Sequence, residues 1–409
     1  MILISKAFKI IKAKTFVLGT EYVDLASIVG RVLAENIIAD TDLPPFDRSQ
    51  MDGFAVIAKD TAKAPVELKI VGESSAGRGW HHKLKSGEAV RIMTGAPVPK
   101  GADAVQKVEL TSEGGVQSAP GWDSGTDDLI TILEPTEKGR FIIRKGLEVR
   151  KGAQIFSKGE VVKTNMIAAL AAFGYSKVKV AQRPKIAIMG TGSEIVEIDQ
   201  QPAQDQIRNS NSLMLKALAE KHGAAATIFP IAKDRISDLK KSISAAAKKN
   251  DIVVITGGVS VGKYDFTKPA LLELGAEIFF DKIALKPGKP TVFAKLGNTY
   301  FFGLPGNPVS AAVTFHLFVR QMIMQMQNSA DIGLRHGFAV LNERAKGTKD
   351  RDTYLPSKLD TDKTGRLIAQ PLKWHGSSDF IGFARAEALI ILPKGSSREK
   401  GEISEIVHL

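Results

Sequence analysis

The spacing of apolar residues changes rhythm along the chain, and each change marks an element boundary. Leu25, Ile28, Val29, Val32 and Leu33 recur at helical spacing behind Asp24, whose short carboxylate suits an N-cap. This predicts helical scaffold over the first 47 residues, ending in the loop from Leu43 to Asp47. From Phe54 to about Arg144 the pattern shortens to β-branched runs, at Val66 to Val71, Ala89 to Met93, Ala104 to Val108 and Leu129 to Leu133, punctuated by Gly and Pro. A small, mostly β module fits that pattern. Helical spacing returns between Leu147 and Arg183, with Thr164 as N-cap, Met166 to Phe173 as body and Gly174 as stop. The two helical segments are expected to meet in space, which makes the β module an insertion.

After Pro184 strands and helices alternate. Lys185 to Gly190, Ala226 to Ile231, Asp251 to Thr256 and Thr291 to Leu296 read as strands, with helices near Ser212 to His222, Ile236 to Lys249 and Thr267 to Leu274. Strands separated by helices predict a parallel α/β sheet, closed by a helix from Val309 to Met326. Beyond Asn328, short strands at Phe338 to Leu341, Leu367 to Ile368, Ala388 to Leu392 and Ile403 to Val407 predict a small β domain. The expected divisions are therefore 1–50 with 147–183, 51–146, 184–328 and 329–409.

Composition narrows the function classes. At roughly 100–200 residues per domain, 409 residues predict two to four domains, and 44% hydrophobic with 24% charged residues is ordinary for a globular chain. Lysines interrupt the apolar residues of Met1 to Lys14, so no export signal is expected, and the longest apolar runs are too short to cross a bilayer. The chain has no Cys, which excludes disulfides, thiolate metal sites and cysteine nucleophiles and fits a cytoplasmic location. The net charge is 56 Lys+Arg minus 44 Asp+Glu, or +12. Its lysines are spread thinly, as at Lys240-Lys241 and Lys248-Lys249, without the basic and aromatic tract of a nucleic-acid module, so nucleic acid is not an expected partner. Most of that charge reads as a solvated face. The seven His lack i, i+4 pairing, and Met322, Met324 and Met326 read as helix packing rather than a soft-metal site.

Ligands of an open parallel sheet bind at the carboxyl ends of its strands, so the residues just after each predicted strand carry the chemistry. They include Glu194, Asp234, the glycine loop Gly257 to Gly262 and Asp265. Glycines let backbone N–H groups approach a phosphate, and carboxylates beside phosphate suit a hard cation such as Mg²⁺. Equally, Glu194 and Asp234 are placed to complement helix N-termini. The segment Lys282 to Pro290 sets Lys282, Lys286 and Lys289 in a Pro/Gly-shaped turn, which suits a polyanion. Gly303 to Pro308 opens the last helix of the unit, either as initiation geometry or as pocket wall.

Five blocks then carry a family resemblance: Met51 to Val56, Arg91 to Pro97, Gly257 to Gly262, Lys286 to Pro290 and Leu304 to Ser310. In order and spacing they resemble the MoeA/gephyrin E-domain family across essentially the whole chain. The resemblance implies a multidomain α/β plus β fold: a central parallel, MogA-like molybdopterin-binding domain, an inserted β-rich domain, an elongated helical N-terminal scaffold and a C-terminal small β domain. It implies a molybdopterin molybdenumtransferase that takes adenylylated molybdopterin and molybdate, inserts the metal and releases AMP with Mg²⁺. It further implies a cytoplasmic homodimer whose active cleft lies between subunits, and transient contact with the molybdopterin adenylyltransferase.

Position by position, the resemblance carries catalytic roles to Asp52, Thr94, Glu194, Asp234, Lys282 and Lys286, and metal ligation to Asp265 with Glu194 and Asp234. Ligand binding is carried to Gly257, Gly258, Ser260, Gly262, Lys289, Pro305, Gly306, Asn307, Pro308, Arg351 and Ser377. The chain departs from the family pattern at Ser193 and Asn209, where an Asp is usual, and at Glu148. Two other functions fit parts of the pattern. A molybdopterin adenylyltransferase uses a related stand-alone α/β domain, and a gephyrin-like scaffold needs partner tails and fused domains.

Overall fold

The computed structural model describes residues 1–113, 129–233, 235–259, 266–373 and 376–409. The expected site residues Asp234, Ser260, Gly262 and Asp265 lie outside them. The chain forms two compact units, one of Asn36–Phe156 with Ala172–Gly174, the other of Met1–Glu35, Ser157–Ala171 and Tyr175–Leu409.

In the first unit a six-stranded sheet runs in the order Ala104–Lys107, Gly53–Val56, Glu88–Ile92, Val66–Ser74, Leu129–Ile132, Thr111–Glu113. Its alternation is the period of a strand read on both faces. Phe54 and Val56 pack with Leu68, Ala89 and Ile132, while Ala55 packs with Val90, Ile92 and Val105. Two chain passages enter and leave this unit side by side, pairing Ile37–Ile38 with Gln154–Phe156 and Arg48–Ser49 with Ile142–Ile143. Ion pairs strap them together at Arg48–Glu148 (3.0 Å) and Arg144–Asp47 (2.6 Å).

The second unit centres on a mixed six-stranded sheet. Ala225–Ala232, Lys185–Thr191, Ile252–Thr256 and Thr299–Leu304 lie parallel in that order, and Val292–Leu296 and Glu277–Phe280 extend it antiparallel. The strand at 292–296 is thus half of a hairpin turned through Gly297, not a further parallel strand as its position after the helix suggested. Burial on both faces explains the continuous apolar runs. Ile186 and Ile188 face a layer containing Ile4, Ile11, Leu215 and Met322, and Ala187 and Met189 face Leu239, Ile243 and Leu271. Helices Ile4–Lys14, Ser210–Lys221 and 308–326 cover the first face, and Ile236–Ala247 and Thr267–Glu273 the other. The helix 308–326 contains a π-helical segment, Phe315–Val319. Met322, Met324 and Met326 are buried in it, so they serve packing.

The expected helix behind Asp24 is only a 3-10 turn, Leu25–Ser27, and Asp24 makes no capping bond. Instead Val32 and Leu33 form β-bridges to Val161 and Val180, and Thr20–Asp24 pairs with Lys177–Ala181. Tertiary pairing overrides the local period here. The helix of this region is Ile4–Lys14, whose lysines lie on its outer side while Ile4, Ala7 and Ile11 are buried.

The C-terminal strands close on themselves. His336–Leu341, Leu367–Pro371, Asp352–Thr361, Ala388–Leu392 and Ile403–His408 form a ring because Asp352–Thr361 pairs with both Leu367–Pro371 and Ala388–Leu392. Closure removes the sheet edge, and Leu341, Ala369, Ile390 and Ile406 fill the interior. Leu285–Lys286 adds to this ring parallel to Asp352 and Thr353. Among the described residues no helix is long and apolar enough to cross a membrane.

Candidate active site

The strands Lys185–Thr191 and Ile252–Thr256 are neighbours whose following helices, Ser210–Lys221 and Thr267–Glu273, pack on opposite faces of the sheet. The chain beyond their paired carboxyl ends therefore runs to opposite faces and leaves a crevice, the place where open α/β sheets bind ligands. A cleft of about 1510 Å³ opens there, lined by Thr191, Glu194, Thr256, Gly257, Lys286 and Pro305 among others.

One wall is backbone. Gly257 has φ +100°, and a Cβ on it would stand 2.3 Å from the Thr191 carbonyl oxygen, so only glycine lets these two strand ends meet. Beyond it, Asn209 caps helix Ser210–Lys221 by accepting from the Ser212 N–H. The Asn211 amide then donates to Thr256 Oγ1 at 2.9 Å and to the Gly306 carbonyl at 2.7 Å, while the Thr256 hydroxyl donates to the Pro305 carbonyl at 3.1 Å. The order of donors fixes the amide orientation, because a flipped Asn211 would set oxygen against oxygen. One side chain thereby ties the helix start to a strand end and to the 305–308 turn.

The cleft also carries charge. The lysine turn is held from three sides: the Ile2 N–H donates to the Lys282 carbonyl, Leu285–Lys286 joins the C-terminal ring, and Gly288, at φ +120°, leaves no room for a Cβ beside Thr314 Cγ2. Lys286 and Lys289 line the cleft with Arg208 and Arg351. Arg351 pairs with Asp350 at 3.0 Å. Ser377 is placed by two contacts, its hydroxyl accepting from Asn307 Nδ2 at 2.7 Å and its carbonyl from the Val309 N–H. Four cations and one acid, Glu194, are the charged groups among the described lining residues, so the cleft favours an anion.

The comparisons agree along the length of the chain. Profiles described as the MoeA N-terminal region (domain I and II), a probable molybdopterin binding domain and the MoeA C-terminal region (domain IV) match residues 2–174, 187–325 and 339–409. A "Molybdopterin molybdenumtransferase" of Staphylococcus aureus is 34% identical over 378 residues, covering 91% of this chain and 87% of that protein. One of Bacillus subtilis is 36% identical over 385 residues, covering 92% and 86%. The chain belongs to the MoeA family. Its fold agrees: the crystal structure titled "molybdopterin biosynthesis moeA protein" from Pyrococcus horikoshii superposes over 100% of both chains with a TM-score of 0.84 at 29% identity. Membership places the chain among transferases of molybdenum cofactor biosynthesis.

Within this MoeA fold the cleft brings together Glu194, Gly257, Gly258, Lys286, Lys289, Pro305, Gly306, Asn307, Pro308, Arg351 and Ser377. Lys282 does not line it; its carbonyl is occupied by Ile2, and its charge helps to hold the Asp281 carboxyl below the usual range, after the stronger effect of the Lys268 hydrogen bond. Asp52 and Thr94 belong to the other unit and find each other there: Asp52 Oδ1 accepts from the Thr94 N–H at 2.6 Å and the Thr94 hydroxyl at 2.9 Å. Arg208 and Asn211 escaped the sequence reading. Asn209-Ser210-Asn211 has the composition of a helix start, and a helix start after the first strand of such a sheet faces the ligand. As for a cation, the Glu194 carboxylate is an oxygen donor of the hard type, which fits Mg²⁺ when water and phosphate supply the other ligands. Among the described residues no three acids or histidines converge.

Proposed function

We propose that the chain inserts molybdenum from molybdate into adenylylated molybdopterin and releases AMP, in an Mg²⁺-dependent reaction. The observation that carries this reading is a single cleft lined both by the glycine backbone of Gly257 and Gly258 and by Lys286, Lys289, Arg208 and Arg351. A substrate that joins two heterocycles through a diphosphate needs backbone N–H groups that approach closely, and an incoming oxoanion needs fixed cations. Gly257, whose own N–H is given to the Leu304 carbonyl, lets the phosphates approach by having no side chain, and it holds them together with Gly258; Lys286, Arg351 and Ser377 hold the oxoanion; Asn307 orients Ser377. Glu194, with Asp234 and Asp265, would hold Mg²⁺, which when bound neutralises the phosphate charge that AMP carries away.

In the same reading the protein works as a cytoplasmic homodimer in which Asp52 and Thr94 serve a cleft of the partner subunit, and Lys282 adds to the field around the lysine turn. A transient encounter with the adenylyltransferase that makes its substrate belongs to it as well. The test is AMP release from adenylylated molybdopterin with molybdate and Mg²⁺. Release that needs both supports the reading. Production of adenylylated molybdopterin from ATP and molybdopterin would overturn it. An Asp265→Asn protein that folds but keeps full Mg²⁺-dependent release would remove the metal role of that residue.

A further inference from the structure

The cleft is polar almost throughout, yet an aromatic ring stands on its rim. Phe380 is the only aromatic among the described lining residues. It is 48% exposed. Its helix, Phe380–Phe383, is a single turn whose Asp379 accepts from the Gly382 N–H. That turn divides its two rings: Phe383 packs against the sheet's main core, and Phe380 is left at the cleft. The segment is also anchored where the ligand would sit, because Ser377 accepts from Asn307 Nδ2 and from the Val309 N–H. Phe380 therefore follows closely on an anchored hydroxyl in the cleft that the lysine turn also lines, and its exposure there goes with backbone anchoring of the segment.

A hydrophobic ring kept in contact with solvent in a cleft lined by four cations loses the free energy of burial unless a flat apolar surface covers it when the cleft fills. We infer that Phe380 is a stacking platform for a planar heterocycle of the substrate, which makes it a specificity residue separate from the groups that hold the phosphates and the oxoanion. This rests on the reading of the cleft as an adenylylated molybdopterin site, whose ligand offers two such rings, pterin and adenine. Stacking a base on an aromatic side chain changes affinity by about five-fold to a hundred-fold.

The experiment measures equilibrium binding of three probes, AMP, adenylylated molybdopterin and molybdate, to wild type, Phe380→Ala, Phe380→Leu and Phe380→Trp. Ala and Leu should weaken adenylylated molybdopterin about five-fold to a hundred-fold and leave molybdate unchanged. AMP weakened in parallel assigns the ring to adenine, and AMP unchanged assigns it to pterin. Trp should restore affinity, and its fluorescence should be quenched on binding. Because Phe380 is half exposed, thermal midpoints near that of wild type are expected and keep the test readable. If wild type binds adenylylated molybdopterin and Phe380→Ala binds it equally well, the platform is wrong while the function stands. A wild type that binds molybdate and AMP but no adenylylated molybdopterin overturns the function, and the platform with it.

Discussion

Helices Ser210–Lys221 and 308–326 lie on the same face of the sheet and both begin at the cleft, but their two ends handle polar groups in opposite ways. At the N-terminal ends Asn209, Asn211 and Asn307 bind backbone and hydroxyl groups, and cations stand open to solvent nearby. Near the end of the first helix and in the middle of the second, polar side-chain atoms are packed away from solvent. The rings of His222 and His316 meet edge to face with centroids 6.3 Å apart, and Gln327 Nε2 donates to the His222 carbonyl at 3.0 Å. His222 Nε2, His316 Nδ1 and Gln327 Oε1 are buried there without a hydrogen-bond partner. Burial holds both imidazoles neutral: it pushes His222 down to about 3, reinforced by Arg320 and His316, and His316 to about 4, reinforced by Lys221 and Arg320. The difference teaches that cations are kept open where a ligand can answer them, while imidazoles packed between the helices, with Arg320 and Lys221 already nearby, are held neutral.

The largest expected effect breaks the buried end. Both histidines titrate lower in the native state than the ordinary 6.5, so as pH falls below about 6.5 the unfolded chain takes up protons that the native chain refuses. Stability is therefore full above that pH and is lost progressively toward the native values. Between pH 7 and pH 5 the pair should cost roughly 2–4 kcal/mol, read as a shift of the urea midpoint. Replacing one member, His316→Leu, should remove about half of that pH dependence. Equal midpoints at the two pH values would show that the imidazoles are not neutralised by burial.

The next effect sharpens the open end. Lys286→Ala should weaken molybdate binding about ten-fold to a hundred-fold, since a hydrogen bond to a charged group contributes roughly 1.5–3 kcal/mol. Its thermal midpoint should stay near that of wild type, because Lys286 joins the ring through its backbone. The loss should shrink as salt rises. A large fall in stability with affinity unchanged would make the lysine turn structural only.

What was legible in the sequence divides along the same line. The glycine loop, the Lys-Pro-Gly-Lys-Pro turn and the 305–308 turn were readable because Gly and Pro encode backbone geometry locally, and the structure places their described residues in one cleft. The parallel sheet was readable because strands buried on both faces are continuous apolar runs. Non-local events were not. The helical period at 25–33 yields to bridges from Val32 to Val161 and Leu33 to Val180, and Asp352–Thr361 reads as a strand only once its two ring neighbours are known. Asn211 was invisible as a clamp because its partners, Thr256 and Gly306, are 45 and 95 residues away. The buried histidines had no signal, since a His on an apolar helix face carries no mark of how deeply it is sealed.

The smallest effect concerns the start of the helix that spans both ends. Asn209 is buried and its side chain accepts from the Ser212 N–H at 3.2 Å, while Asn211, two residues on, anchors the same helix start to Gly306 and Thr256. Either contact could fix where the helix begins, and substitution at 209 separates them. Asn209→Ala should cost about 1 kcal/mol by removing the cap. Asn209→Asp keeps the acceptor and adds a negative charge at the positive end of the helix, so it should match wild type or exceed it by about 0.3–1 kcal/mol. At the ligand the order should reverse, because the Asp charge faces the same anion as Lys286 and Arg208, and Ala leaves that field unaltered. Urea denaturation of both variants, paired with molybdate binding, gives the two orders. If Ala costs nothing in stability, the Asn211 clamp alone holds the helix start, and the ligand end of the molecule is fixed by tertiary ties rather than by its cap.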